Sequence, residues 1–212
     1  MKKNRSVLYV LVLLLVPLSV FSQRKFNPAL SKTIDSLRAV DQAPSKLPKE
    51  QASKAWQEAL RSNYPHLKAI LHQYGFPGIR EVGKESSHNY WLVIQHIDFD
   101  VEFQKEVLKE MKKQVDKKNA SGEDYAFLID RIEQNEKRPQ IYGTQVNMGP
   151  AGTKLYATID TINLDKRRRF VGLGPIAEYL KKCDEVYKAL NNGTLDKIRT
   201  KDDSLKMKPK YN

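Results

Sequence analysis

The stretch "YWLVIQHIDFDVEFQ", Tyr90 to Gln104, constrains this chain more than any other. Five consecutive apolar residues lead into Gln95 and His96, after which Asp98, Asp100 and Glu102 alternate with Ile97, Phe99 and Val101. From Ser87 to about Ile97 the apolar spacing suits a buried helix, although Val93 and Ile94 would also suit a strand. Asp98 or Asp100 can then cap a second helix by accepting from its unpaired first-turn N–H groups.

Helical periodicity continues on both sides. Asn27 is placed as a cap, with Pro28 at the first helical position and Leu30, Ile34 and Leu37 along one side. "DQAPSKLP" breaks that helix, Pro48 opens the next, and Asn63 with Pro65 are expected to restart the chain into a short helix carrying Leu67, Ile70, Leu71 and Tyr74. Gly75 ends it in the turn "GFPG". After the joint, Phe103, Val107, Met111 and Val115 recur every four residues. Ser121 and Asp124 resemble a capping box ahead of the stripe Tyr125, Leu128, Ile129 and Ile132. Past "NEKRP" the pattern changes: residues 141–146 and 155–159 read as short strands joined by the long loop "NMGPAGT". A last helix places Ile176, Tyr179, Leu180, Cys183, Tyr187 and Leu190 on one face and stops at Gly193. The expected fold is therefore α+β: a mainly α-helical single domain, residues 23–195, with one small β-hairpin, followed by a charged, disordered tail at 196–212.

Residues 1–22 have the make-up of a secretory leader. Lys2, Lys3 and Arg5 precede an apolar run from Val7 to Val16, and Val20 and Ser22 stand where a signal peptidase reads. The run falls short of the roughly 20 residues that span a bilayer core. An exported protein, periplasmic or extracellular, without stable membrane insertion after cleavage is expected. Loss of the leader removes three positive charges and lowers the net charge from +12 to +9. The lysines are dispersed, so a solvated surface is expected and no nucleic-acid partner is indicated. Cys183, the only cysteine, has no partner within the chain and reads as a buried, inert thiol.

Several groups could carry chemistry. His96, Asp98 and Asp100 form H-x-D-x-D, which has metal-ligand residue types, but alternate residues on a helix point about 200° apart. No metal and no cofactor is expected. Asp130 and Arg131 flank an apolar stripe, where an arginine fork can tie helix ends or clamp an anion. "QIYGTQ" brings Gln140, Tyr142, Thr144 and Gln145 around Gly143, a set able to read a polar ligand or to build a bulge. "DKRRRFVGLGP" sets Arg167, Arg168 and Arg169 before a helix amino end, an arrangement that suits an anion; its arginines could equally satisfy Asp160, Asp165 and Asp130. His66, His72 and His88 lack companions at ligand-like spacings.

The motifs "WLVIQHIDFDVEFQ", "YAFLIDRI", "PQIYGTQV" and "DKRRRFVGLGPIAEYL", in this order, resemble a family of mostly bacterial proteins, domain of unknown function 6624. The likeness runs from about residue 74 to 180 and covers Gln95, His96, Asp98, Phe103, Gln104, Asp130, Arg131, Gln140, Tyr142, Gly143, Thr144, Gln145, Arg168, Arg169, Gly172 and Leu173. Upstream, "DQAPSK" lacks the arginine that the resemblance leads one to expect shortly after Asp-Gln. The resemblance implies a fold and no activity.

Three functional readings follow from the residues. In the first, Gln95, His96, Asp130, Arg131, Tyr142, Gln145 and Arg168, with Arg169 nearby, share a pocket for a small anionic or polyhydroxylated ligand. In the second, the protein is a hydrolase-type enzyme with His96 as general base, Asp98 or Asp130 orienting it, and Arg131 or Arg168 stabilising negative charge. In the third, the same residues only lock one another in place. Mass spectrometry of the mature protein checks the leader: the expected amino terminus is Gln23, and recovery of the uncleaved chain from an integral-membrane fraction would refute it.

Overall fold

The computed structural model describes residues 25–194; the expected leader at 1–22 and the expected disordered tail at 196–212 lie outside the described residues. The chain is mainly helical, with a single two-stranded antiparallel hairpin among the described residues. Helix α1 (Pro28–Gln42) begins at Asn27, whose side chain accepts from Leu30 N at 3.0 Å. A short 3-10 turn, Ala43–Lys46, separates it from α2 (Lys49–Tyr74). Then come α3 (Ile79–Ile94), α4 (Val101–Asp116) and α5 (Gly122–Asn135). Strands β1 (Val146–Asn147) and β2 (Lys154–Leu155) pair with Val146 opposite Leu155. A 3-10 turn at Thr161–Asn163 leads directly into α6 (Leu164–Phe170), and α7 (Ile176–Asn191) follows.

The core forms where α1 and α3 lie together and where α4 packs on α5. Leu30, Ile34 and Leu37 of α1 meet the fully buried Tyr90 to Ile94 run of α3, and Phe103, Val107 and Met111 of α4 meet Leu128 and Ile132 of α5. Local signals account for the helix starts: Asp100 accepts from Phe103 N, and Ser121 from Asp124 N. A polar seam joins α1 to α3, in which Ser86 bridges Ser31 and Asp35, and Asn27 N donates to Glu81 O at 2.7 Å.

Four expectations need correction. Pro65 starts no new helix, because α2 runs through it for 26 residues. Proline removes the N–H that would bond the Arg61 carbonyl, but both residues are exposed, so water can take that carbonyl. Buried Asn63, Leu67 and Ile70 hold the helix on course: Asn63 Nδ2 donates to Leu37 O of α1, and Leu67 O accepts from Tyr90. Helix α3 begins before Ser87, with a break at Gly83, whose φ of 84° is open to glycine at low cost, and Val93 and Ile94 are helical. The strands are two residues long each, because Ile141, Tyr142 and Thr144 give their N–H groups to a side chain instead of a neighbouring strand. On α7 the fully buried side chains are Cys183, Val186 and Ala189, while Tyr179, Tyr187 and Leu190 are half-buried.

Gly122 shows how close the later segments approach α5. A methyl group at this position would sit 2.6 Å from the Val171 carbonyl oxygen, and the backbone there cannot swing aside as a side chain would. Gly122→Ala is expected to destabilise the protein by about 1–3 kcal/mol in urea unfolding. Gly149→Ala, which meets nothing within 4 Å, serves as the neutral control.

Candidate functional site

The joint between α3 and α4 is a tight polar turn, residues 95–100, held by His96 N to Val93 O and Ile97 N to Ile94 O bonds. Ile97 is fully buried and anchors it, which turns His96 and Asp98 outward to separate neighbours. His96 Nδ1 lies 2.7 Å from Asp41 Oδ1, at the last turn of α1. Asp41 is completely buried, whereas the imidazole side chain keeps 23% of its surface accessible. With a carboxylate oxygen as its neighbour, Nδ1 is the nitrogen that carries the proton, which leaves the Nε2 lone pair available.

Three groups hold Asp41 in place. Gln42 Nε2 donates to Oδ2, Arg38 Nη1 lies 3.6 Å from the same oxygen, and Trp56 Nε1 of α2 donates to the Asp41 carbonyl at 2.7 Å. Burial pushes the Arg38 guanidinium down from its ordinary value, and the Asp41 charge opposes that push. Arg38 Nη1 is buried without a hydrogen-bond acceptor. It therefore pairs with the Asp41 charge at 3.6 Å without a direct hydrogen bond.

The other end of the turn is tied to different helices. Asp98 receives a two-pronged contact from Arg131 Nε and Nη2, at 2.8 and 2.7 Å, and a third bond from Asn135 Nδ2. Asp100 caps α4 and accepts from the Tyr64 hydroxyl of α2. That hydroxyl, with the Phe103 N–H, holds the Asp100 carboxyl below its ordinary value. The H-x-D-x-D residues thus face three partners, and among the described residues no group of three or more His, Cys, Asp or Glu is arranged for a metal ion.

Asp130 is a separate centre. It is fully buried on α5 and accepts from Ile141 N, Tyr142 N, Thr144 N and the Thr144 hydroxyl, all at 2.7–3.1 Å. Burial pushes its carboxyl up, and these four donors pull it back. Because the N–H groups turn inward to Asp130, the carbonyls of the same loop need donors from elsewhere. Arg168, 1% exposed, donates to Tyr142 O, Gly143 O and Gly174 O, and Tyr179 donates to Thr144 O. The Arg168 guanidinium also lies over the Tyr179 ring, 5.1 Å from its centre. Gln140 closes the loop through its side-chain oxygen to Gln145 N and its amide nitrogen to Gln145 O and Tyr156 O.

The expected site residues therefore fall into three hydrogen-bonded sets: His96 with Asp41, Asp98 with Arg131, and Asp130 with the Tyr142–Gln145 loop and Arg168. Gln95 is buried, and its carbonyl receives a long 3.5 Å contact from Gln104. Gln145 Nε2 donates to the Thr144 hydroxyl, Tyr142 is half-buried, and Arg169 is exposed. Cys183 is a free, buried thiol that burial pushes up. A second imidazole–carboxylate contact joins His88 to Asp124 at 2.9 Å beside Trp91.

Asp41, Arg38 and Gln42 were not legible as site residues. One signal was present: Leu30, Ile34, Leu37 and Asp41 continue a single 4-3-4 stripe, so a carboxylate stands where the helix otherwise buries leucine and isoleucine. Such a group calls for a partner.

A family model described as a family of unknown function, DUF6624, matches residues 34–191. That range takes in Asp41 as well as all the expected site residues. No curated protein and no solved structure matches the chain.

Replacing Asp130 by Asn sets an amide NH₂ against at least one inward-facing N–H. The variant is expected to lose about 2–4 kcal/mol of stability in urea. A loss below about 0.5 kcal/mol would mean that Asp130 does not organise the loop.

Proposed function

This chain belongs to the DUF6624 family of unknown function, and on that footing we propose that it is a hydrolase-type enzyme of the cell envelope in which Asp41 orients His96 as general base. The observation that carries this reading is the pairing of a fully buried carboxylate with the Nδ1 of a partly accessible imidazole. A carboxylate in that place fixes the tautomer, aims Nε2 outward and stabilises the imidazolium once a proton has been taken. Asp41 fills the orienting role for which Asp98 and Asp130 were the sequence candidates; those two carboxylates are occupied by Arg131 and by the 141–144 backbone.

The chemistry is direct. A water molecule at Nε2 gives up a proton to the imidazole as its oxygen bonds to an electrophilic acyl or phosphoryl centre. The imidazolium returns the proton to the leaving group as that bond breaks. The Arg38 side chain, 18% accessible beside the Asp41–His96 pair, favours a substrate that carries or develops negative charge, in keeping with a small anionic or polyhydroxylated ligand. The envelope location rests on the leader-like residues 1–22. Among the described residues, no helix is long and apolar enough to cross a membrane.

A second reading, a structural interaction domain, is favoured by the inward pairing of Asp98, Arg131, Asp130 and Arg168. Panels of chromogenic acetate and phosphate esters separate the two. Under the enzyme reading at least one ester is turned over. His96→Ala and Asp41→Asn each lower that rate by about 10²–10⁴-fold, the usual share of general-base catalysis. Under the scaffold reading no ester is cleaved; under either reading His96→Ala takes a partner from buried Asp41 and lowers stability by about 1–3 kcal/mol. Full activity in His96→Ala would exclude the base outright.

A further inference from the structure

Two large apolar side chains, Ile162 and Phe170, stand almost entirely in solvent at 94% and 92% exposure. They lie on the continuous helical stretch from Thr161 to Phe170, with Lys166 midway between them and Arg169 beside Phe170. The opposite side of this stretch is well anchored: Leu164 and Arg168 are 2% and 1% exposed. The exposed side is therefore held rigidly outward. Such complete exposure of isoleucine and phenylalanine on an ordered element has a cost in water that folding has not removed.

From Asp160 to Phe170 the chain carries four cations and two carboxylates, a net charge of +2. Asp160 accepts from Asn163 and Arg167, and Asp165 accepts from Ile176 N, so both local carboxylates are engaged within the fold. Lys166 and Arg169 form no ion pair among the described residues. Phe170 and Lys166 also border an open depression of about 460 Å³ shared with Tyr142, Asp160, Asn163 and Arg167. Ile159, 44% exposed, adjoins it, because its carbonyl accepts from Arg167.

We propose that the Ile162, Lys166, Arg169 and Phe170 face is a docking surface for an anionic lipid membrane. The two apolar side chains enter the headgroup region, and the two cations rest among lipid phosphates. Two separated wedges flanking basic residues suit a fluid bilayer, which accepts single side chains without a shaped pocket. They suit a protein partner poorly, since a stable interface needs roughly 800 Å² from each side. The net charge, +12 for the full chain and +9 without residues 1–22, acts in the same sense, by drawing the molecule toward a negative surface. This mode of attachment is peripheral and independent of the His96 chemistry.

The test is vesicle co-sedimentation of the protein in the form its host produces, with phosphatidylcholine vesicles and with phosphatidylcholine containing one third phosphatidylglycerol. Binding to the anionic vesicles only is expected. Ile162→Ser with Phe170→Ser should reduce it by at least tenfold, and Lys166→Gln with Arg169→Gln by about fivefold per cation, more weakly at high salt. All four side chains are exposed, so unchanged melting should accompany both double variants. Equal binding to neutral vesicles, or binding that both double variants retain, overturns the proposal. So does a dimer in sedimentation that Phe170→Ser dissociates without any vesicle binding, which would mark the face as a contact between copies of this chain.

Discussion

Asp130 lies on α5 with no water on it, so its two oxygens must be filled by donors, and the chain from Ile141 to Thr144 bends around them. Everything after α5 follows from that bend. Peptide N–H groups that turn inward leave their carbonyls facing the other way, and Arg168 and Tyr179 reach in from α6 and α7 to meet them. A fork-shaped cation with several fixed donors is well suited to this task, because one side chain can serve the carbonyls of Tyr142, Gly143 and Gly174 together. The carboxyl-terminal helices are thus docked through hydrogen bonds to a loop as much as through apolar contact.

The turn between α3 and α4 works in the opposite manner. Instead of drawing one segment around one charge, it distributes three side chains among three neighbours: His96 to α1, Asp98 to α5, and Asp100 to α2 and its own helix. A turn restrained on three sides holds the imidazole in a defined orientation without enclosing it. This is the geometry an acid–base group requires, since the ring must be aimed and its outer nitrogen must stay reachable.

What could be read from the residues alone was what depends on near neighbours. The helix starts at Asn27, Asp100 and Ser121 were legible because a capping side chain bonds to an N–H only three residues on. The apolar stripes of α4 and α5 were legible for a similar reason. Pro65 misled because its effect depends on whether the freed carbonyl meets water or core, which local spacing does not reveal. The strand expected at 141–146 was cut short by Asp130, eleven to fourteen residues upstream. His96 stood out through its acidic surroundings, yet its partner Asp41 lies 55 positions away, beyond any spacing rule. Gln95, Tyr142 and Gln145 drew attention as polar residues among apolar ones, and their place in the frame became plain only with the backbone groups that surround them.

The helix that brings Asp41 to His96 is the first of the described elements, joined to the remainder by a single connection through the 3-10 turn. Its inner seam is partly polar, made of Ser31, Asp35, Ser86 and Asn89. Fraying of that one helix would withdraw the carboxylate from the imidazole while the Asp98–Arg131 lock and the Asp130 loop stayed whole. Amide hydrogen exchange along α1 would therefore follow the making of the Asp41–His96 contact separately from global unfolding.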